Sequence, residues 1–331
     1  MYDNVDPAVL PLGIFFFFCS LVGVVGNSIM IICSIVTKRL RSPCHFLISA
    51  TCLIDALHIS GQFPFCFQLF TGLTASQSQC FFILSIPVIG LTAGGPLILA
   101  MGIDRFVAVK FPTSYRYYQQ APVRYIVIQL IFPILYTIAF LIYGYTERDT
   151  DESNQITCAN PLALNGRAFQ VYNYTSGLLY VVIFFLYFKV YFSLKSNKTS
   201  SRFKKVFRSI GVTVCFVLFG WMTTTIANAS SYAVTDDLNV AHLIQMYAGI
   251  AVNFAAASNV FVFYSINSEY RESINAMLGI GKKSGVSHTE TSTTQEAAAP
   301  HSSGRSKSIS VLSLPKFLSS SKISQRRMTL V

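Results

Sequence analysis

Charge is scarce in this chain: Asp, Glu, Lys and Arg make up 12% of its 331 residues, against roughly 25% in soluble domains. That shortage excludes an ordinary soluble enzyme. Tryptophan occurs once, whereas phenylalanine occurs 28 times, and a mean hydropathy of +0.51 is incompatible with an open, solvated coil over most of the length. Also missing are HExxH, paired CxxC motifs and a Walker glycine loop, so metal and nucleotide chemistry have no motif behind them. No nucleophile with a nearby base lies in the apolar stretches, and neither an internal repeat nor a row of intramembrane charges suggests a transporter. The expectation is a membrane protein that is no enzyme and carries no cofactor or metal.

What is present is a series of long uncharged gaps. Between consecutive charged residues, Asp6 to Lys38 encloses 31 positions, Asp55 to Asp104 encloses 48, Arg124 to Glu147 encloses 22, Arg167 to Lys189 encloses 21, Arg208 to Asp236 encloses 27 and Asp237 to Glu269 encloses 31. A membrane helix needs about 20 apolar residues. The 48-residue gap is interrupted by the polar run Thr71 to Gln79 and so holds two spans. The reading is all-α: a seven-transmembrane helix bundle with spans near 8–36, 44–70, 80–106, 122–144, 170–193, 207–234 and 241–265. Residues 1–7 form a short extracellular N-terminus and 267–278 a surface helix with apolar Tyr270, Ile274, Met277 and Leu278 at helical spacing. Residues 279–331, holding 18 Ser and Thr, read as a disordered cytoplasmic tail. The second span encloses Asp55, at a cost of about 2.5–3.5 kcal/mol for an acid at mid-helix.

Orientation follows from Lys and Arg, which remain on the cytoplasmic side of short loops. Of 25 basic residues, 23 fall on one side, leaving Arg148 and Arg167 opposite, beside eight carboxylates. The N-terminus is therefore expected outside and the C-terminus in the cytoplasm of a multi-pass plasma-membrane protein. The start MYDNVDPAV lacks the basic region of a cleavable signal, so the first helix reads as an uncleaved anchor. The net charge of +11 is then a membrane-sorting signal facing lipid, and no nucleic acid is expected as a partner. Of the eight cysteines, Cys80 opens the third span on the outer side and Cys158 is alone in the second outer loop. Facing an oxidising compartment, the two are expected to form a disulfide.

Several residues carry a family resemblance. Gly26–Asn27, Asp55, Cys80 with Cys158, and Asp104-Arg105-Phe106 together resemble rhodopsin-class G-protein-coupled receptors. The runs LRSPCHFLISATCLIDALH, GQFPF and GGPLILAMGIDRFVAVKFPTSYR are similar to the nematode serpentine chemoreceptors of the Srsx type. The likeness covers Gly13 to about Leu278.

That resemblance implies a chemoreceptor that binds an external chemical and activates a heterotrimeric G protein, at the plasma membrane of a cell or sensory cilium. Arg105 would be the arginine released toward the G protein, Asp104 its resting partner and Tyr187 an aromatic that helps hold it once released. Asn27, Asp55 and Asn259 would form a polar centre. Gly94 stands where many relatives place a serine sodium ligand, so a water network is expected there in preference to sodium. Trp221 would be the toggle of the sixth span, without the usual proline, so that a bend must come from Gly220 or threonine side chains. The seventh-span NPxxY pattern is altered, with Tyr264 one place late.

Ligand contacts are expected among Gln62, Pro87, Tyr172, Tyr174, Thr225, Asn228, Gln245 and Asn253, each of which has packing as its alternative. Pro87 replaces the aspartate of amine receptors, which disfavours an amine. No lysine occurs between Ala241 and Ile266, which excludes a retinal Schiff base. Arrestin and a receptor kinase are implied as partners of the Ser/Thr-rich tail. The rival readings are a neuropeptide or other peptide receptor, consistent with the acidic second outer loop, and a seven-span ligand-gated channel or carrier.

Overall fold

The computed structural model describes residues 9–153, 155–196 and 201–280. The expected termini 1–7 and most of 279–331 lie outside the described residues. The chain runs through α1 (Leu10–Val36), α2 (Pro43–Ser60), α3 (Gln62–Thr71), β1 (Ala75–Ser76), α4 (Gln77–Ile83), α5 (Ser85–Lys110), α6 (Pro112–Gln120) and α7 (Pro122–Thr146). It continues through β2 (Gln155–Ile156), α8 (Asn160–Ala163), α9 (Gly166–Ser196), α10 (Ser201–Val234), α11 (Leu238–Ala257), α12 (Asn259–Ile266) and α13 (Ser268–Met277). Among the described residues, six stretches are long and apolar enough to cross a membrane, and α11 with α12, bent by 42°, supplies a seventh.

Local chemistry explains the starts. Proline lies in the first turn of α1, α2, α6, α7 and α8, where its missing N–H has no helical acceptor to lose. Ser76 and Gln79 cap α4 reciprocally, each side chain bonding the other's backbone N–H, as the capping-box arrangement requires. The Asn267 side chain accepts from Glu269 N–H at 3.0 Å to open α13.

Burial is arranged as the bilayer demands. Ile128, Ile131, Leu135 and Ile142 of α7 and Leu178, Phe185 and Phe188 of α9 are exposed, while Asp104 and Arg105 are buried. α5 is buried along most of its length and forms the centre of the bundle. Helices approach closely where side chains are small. A Cβ at Gly90 of α5 would lie inside contact distance of the His58 backbone, and one at Gly220 of α10 would lie 2.8 Å from the Ala251 carbonyl of α11. Small residues at such crossings are a common membrane packing device.

The structure departs from the expected spans in three places. The second, Pro43–Thr71, is one span in which Gly61 separates α2 from α3, and the seventh is broken at Ser258 into α11 and α12. α10 runs without interruption; Gly220 admits the backbone of α11, and the Thr224 hydroxyl donates to the Gly220 carbonyl at 3.0 Å. The third membrane helix begins at Ser85, after the separate helix α4, and extends to Lys110, where the unanticipated α6 follows. A two-residue antiparallel ribbon, pairing Ala75 with Ile156 and Ser76 with Gln155, also escaped the sequence pattern.

The surface helix α13 is docked. Tyr270 is fully buried, packs edge-on to Phe263 at 5.2 Å and meets the Ser34 hydroxyl at 3.2 Å. Glu269 faces His45 at 3.7 Å, tying α13 to the start of α2.

Candidate functional site

Three polar groups far apart in sequence meet in the middle of the bundle. The Asn259 amide donates to Asp55 Oδ2 at 2.7 Å and to Asn27 Oδ1 at 2.9 Å. Asn27 in turn donates to the Ala256 carbonyl at 2.9 Å. That carbonyl lies just before the bend at Ser258, where the helical ladder is interrupted, so an amide from α1 takes over part of the lost bonding. Asp55 thereby gains a partner at a depth where an isolated acid is costly. It also lines a cavity of about 10 Å³, together with His58, Gly94, Trp221 and Ala256, room for about one water.

Trp221 sits on the other side of that cavity. Its ring stacks on Tyr180 at 5.6 Å and meets His58 and Tyr172 edge-on at 5.5 and 6.3 Å. Aromatic pairs in such geometries contribute about 0.5–1.5 kcal/mol beyond area burial, so the indole is held by three rings from two helices, α2 and α9. Tyr180 and His58 were not singled out from the sequence. The one available signal was His58, three residues beyond Asp55 and hence on the same helical face.

At the far end of α5, the Arg105 guanidinium donates twice to Asp104 Oδ2. Both side chains are almost wholly buried. Arg105 also donates to the Tyr115 hydroxyl at 3.0 Å, a contact supplied by α6 and missed by the sequence reading. Burial pushes the Tyr115 phenol upward, opposed by the adjacent Arg105 charge, so the hydroxyl remains protonated and serves as the acceptor. Tyr187 lies against Gly102 of α5, three residues before Arg105, and its buried hydroxyl has no hydrogen-bond partner among the described residues. Tyr264, by contrast, bonds Asn275 at 3.1 Å on the exposed side of α12.

Residues 20–278 match the family model for the serpentine type 7TM GPCR chemoreceptor Srsx. The chain belongs to the Srsx family. It is accordingly a multi-pass membrane protein of the G-protein-coupled receptor class. The Srsx chain is also similar to human olfactory receptor 9A1, 33% identical over 107 residues, which are 30% of this chain and 33% of that receptor. Human olfactory receptor 8D1 is 33% identical over 108 residues, 32% of this chain and 35% of that receptor. The matched stretches thus span about a third of these olfactory receptors. Similarity to the rhodopsin of Sargocentron spiniferum is lower, 22%, but extends over 327 residues, 91% of this chain and 92% of the rhodopsin.

In this Srsx chain the end of the bundle where α2 gives way to α3 is covered by the segment between α7 and α9. Cys80 and Cys158 form a disulfide, and both are buried. The Gln68 side-chain Oε1 accepts from Cys158 N–H at 2.5 Å. Gln77 donates to the Leu162 and Ala163 carbonyls at 3.2 and 3.1 Å and accepts from Asp149 N–H at 2.7 Å. Asn160 donates to the His58 carbonyl at 2.9 Å, covering the place where α2 breaks. None of these three polar anchors was anticipated; Gln77 lies within the polar run taken only as a turn. Beyond them, Asp151 accepts hydrogen bonds from Ser153, which hold its carboxyl below the usual range.

The expected ligand contacts divide. Pro87 lies beneath Gly61 and Asn160, and Tyr172 is buried, donating to the Leu91 carbonyl at 2.9 Å. Gln62 and Asn253 are buried, and the Thr225 hydroxyl has no partner among the described residues. Gln245 donates to Ser231 at 2.7 Å, one turn beyond Asn228. Tyr174 does not join them: it is 72% exposed. Two residues along a helix from buried Tyr172, it is rotated by about 200° and faces outward.

Proposed function

We propose that this Srsx chain receives an external chemical at the outer half of its bundle and activates a heterotrimeric G protein at the other end. The observation that carries the reading is the buried Asp104–Arg105 pair, held additionally by Tyr115. A guanidinium in a dry site is costly to leave unpaired, so exchanging Asp104 for an acceptor on a partner creates two discrete states. Trp221 and the Asp55 cluster lie between that pair and the covered outer end, which suits them to couple the two. The orientation that accompanies the proposal has the N-terminus outside and the basic loops in the cytoplasm, supported by the charge bias. In the same reading, a kinase and arrestin act on the tail, and the cell surface or a sensory cilium is the site of action.

The test is stimulated GTPγS uptake by the G protein with purified chain in nanodiscs, after a ligand has been found by screening cells for calcium and cyclic AMP responses. Arg105→Ala is expected to abolish uptake while ligand binding and surface amount persist. Coupling equal to wild type would remove the assigned role and favour a channel or carrier. Orientation is read separately, by staining an N-terminal epitope on intact cells and a C-terminal one after permeabilisation.

A further inference from the structure

Between α9 and α10 the bundle leaves a groove of about 950 Å³, running from Lys195 and Arg208 at one end to Phe219 at the other. At the neighbouring seam a Cβ on Gly102 of α5 would meet Leu186 of α9 at 2.8 Å, whereas a Cβ on Gly211 inside the groove would meet nothing within 4 Å. Around Gly211 the α9–α10 seam is therefore unfilled by side chains of the described residues.

Three features define what fits. The groove is walled by aromatic and aliphatic side chains such as Phe188 and Phe216, so its body accepts hydrocarbon. Arg208 to Phe219 spans about 16 Å of helix, close to one leaflet of a core about 30 Å thick. Lys195 near the end of α9 and Arg208 near the start of α10 both line the groove, and among the described residues they are its cationic side chains.

We propose that the α9–α10 groove binds an anionic phospholipid, its phosphate between Lys195 and Arg208 and one acyl chain along the aromatic wall. The source is the cytoplasmic leaflet, where anionic lipids face basic segments; that part rests on the orientation proposed above.

The full chain in nanodiscs is labelled with phosphatidylserine carrying a photoreactive diazirine on its acyl chain, and adducts are mapped by mass spectrometry. Adducts are expected on residues 184–195 and 207–219, displaced by unlabelled phosphatidylserine but not by phosphatidylcholine or inorganic phosphate. Lys195→Gln and Arg208→Gln should each lower them about fivefold, and Gly211→Trp should block them, while adducts on α7 persist as a control for folding. Equal labelling by photoreactive phosphatidylcholine, or indifference to the charge variants, would overturn the site and leave only annular lipid. Nanodiscs present both faces to the same lipid, so a negative result there indicts the groove. An error in orientation would show only in the epitope staining.

Discussion

Asn160, in the loop between α7 and α9, donates to the backbone carbonyl of His58 at the end of α2, 102 residues earlier in the chain. The bond is buried and sits where Gly61 divides α2 from α3, so it covers a break in the second span with a group from the loop above. His58 in turn presents its ring to Trp221, which places the loop one residue away from the proposed toggle. Asn160→Ala should remove the donor without altering the disulfide. The expected cost is about 1–3 kcal/mol for an unsatisfied buried carbonyl, read as a lowered thermal midpoint of the purified chain. An unchanged midpoint would mean that the loop is held by Cys158 and Gln77 alone.

Asp104→Asn should weaken the resting partner of Arg105. A hydrogen bond to a charged group contributes about 1.5–3 kcal/mol, enough to shift a two-state equilibrium roughly 10- to 100-fold. Higher basal GTPγS uptake at matched protein amounts is the expected outcome. Tyr115→Phe, which removes only the second acceptor, should raise it less. Basal uptake no higher than wild type in both would remove the resting-lock role.

Asn259→Ala should strip Asp55 and Asn27 of their shared donor. Leaving the carboxylate without its partner is expected to destabilise the chain by about 1–3 kcal/mol, and Asp55→Asn in the same background should recover part of the loss. Additive losses would show that the two side chains act independently.

Cys80→Ser and Cys158→Ser should each reduce surface delivery, since removal of a native disulfide costs about 2–5 kcal/mol in small secreted domains. The double variant should be no worse than either single one. A larger loss in the double variant would indicate roles beyond the shared bond.

Gly90→Val should prevent α2 and α5 from approaching, because even a Cβ would strike the His58 backbone. Gly211→Val, placed in open space, should not. Surface staining of the two variants checks the contrast, and equal expression would mean that α2 can shift to accommodate the methyl groups.

The sequence by itself determined how many times the chain crosses the membrane, because the bilayer imposes a local rule: each span must be apolar and satisfy its own backbone hydrogen bonds. Uncharged gaps such as Arg124 to Glu147 obey that rule residue by residue. The Cys80–Cys158 pairing was legible for a similar reason, since each is the cysteine available at its point on the face that the charge bias assigns to the outside, and Asp104 with Arg105 are chain neighbours. Only the tertiary structure decided which helix faces meet. Asn259 reaches Asp55 across 204 positions, Tyr115 is brought to Arg105 by a helix that carries no span signal, and Tyr174 turns outward while Tyr172 turns in. Within hydrocarbon an apolar side chain gains little by choosing a neighbouring helix over lipid, so these choices are made by close packing at small residues and by scattered polar bonds. Neither leaves a periodic trace in the sequence, and the open seam at Gly211 leaves none at all.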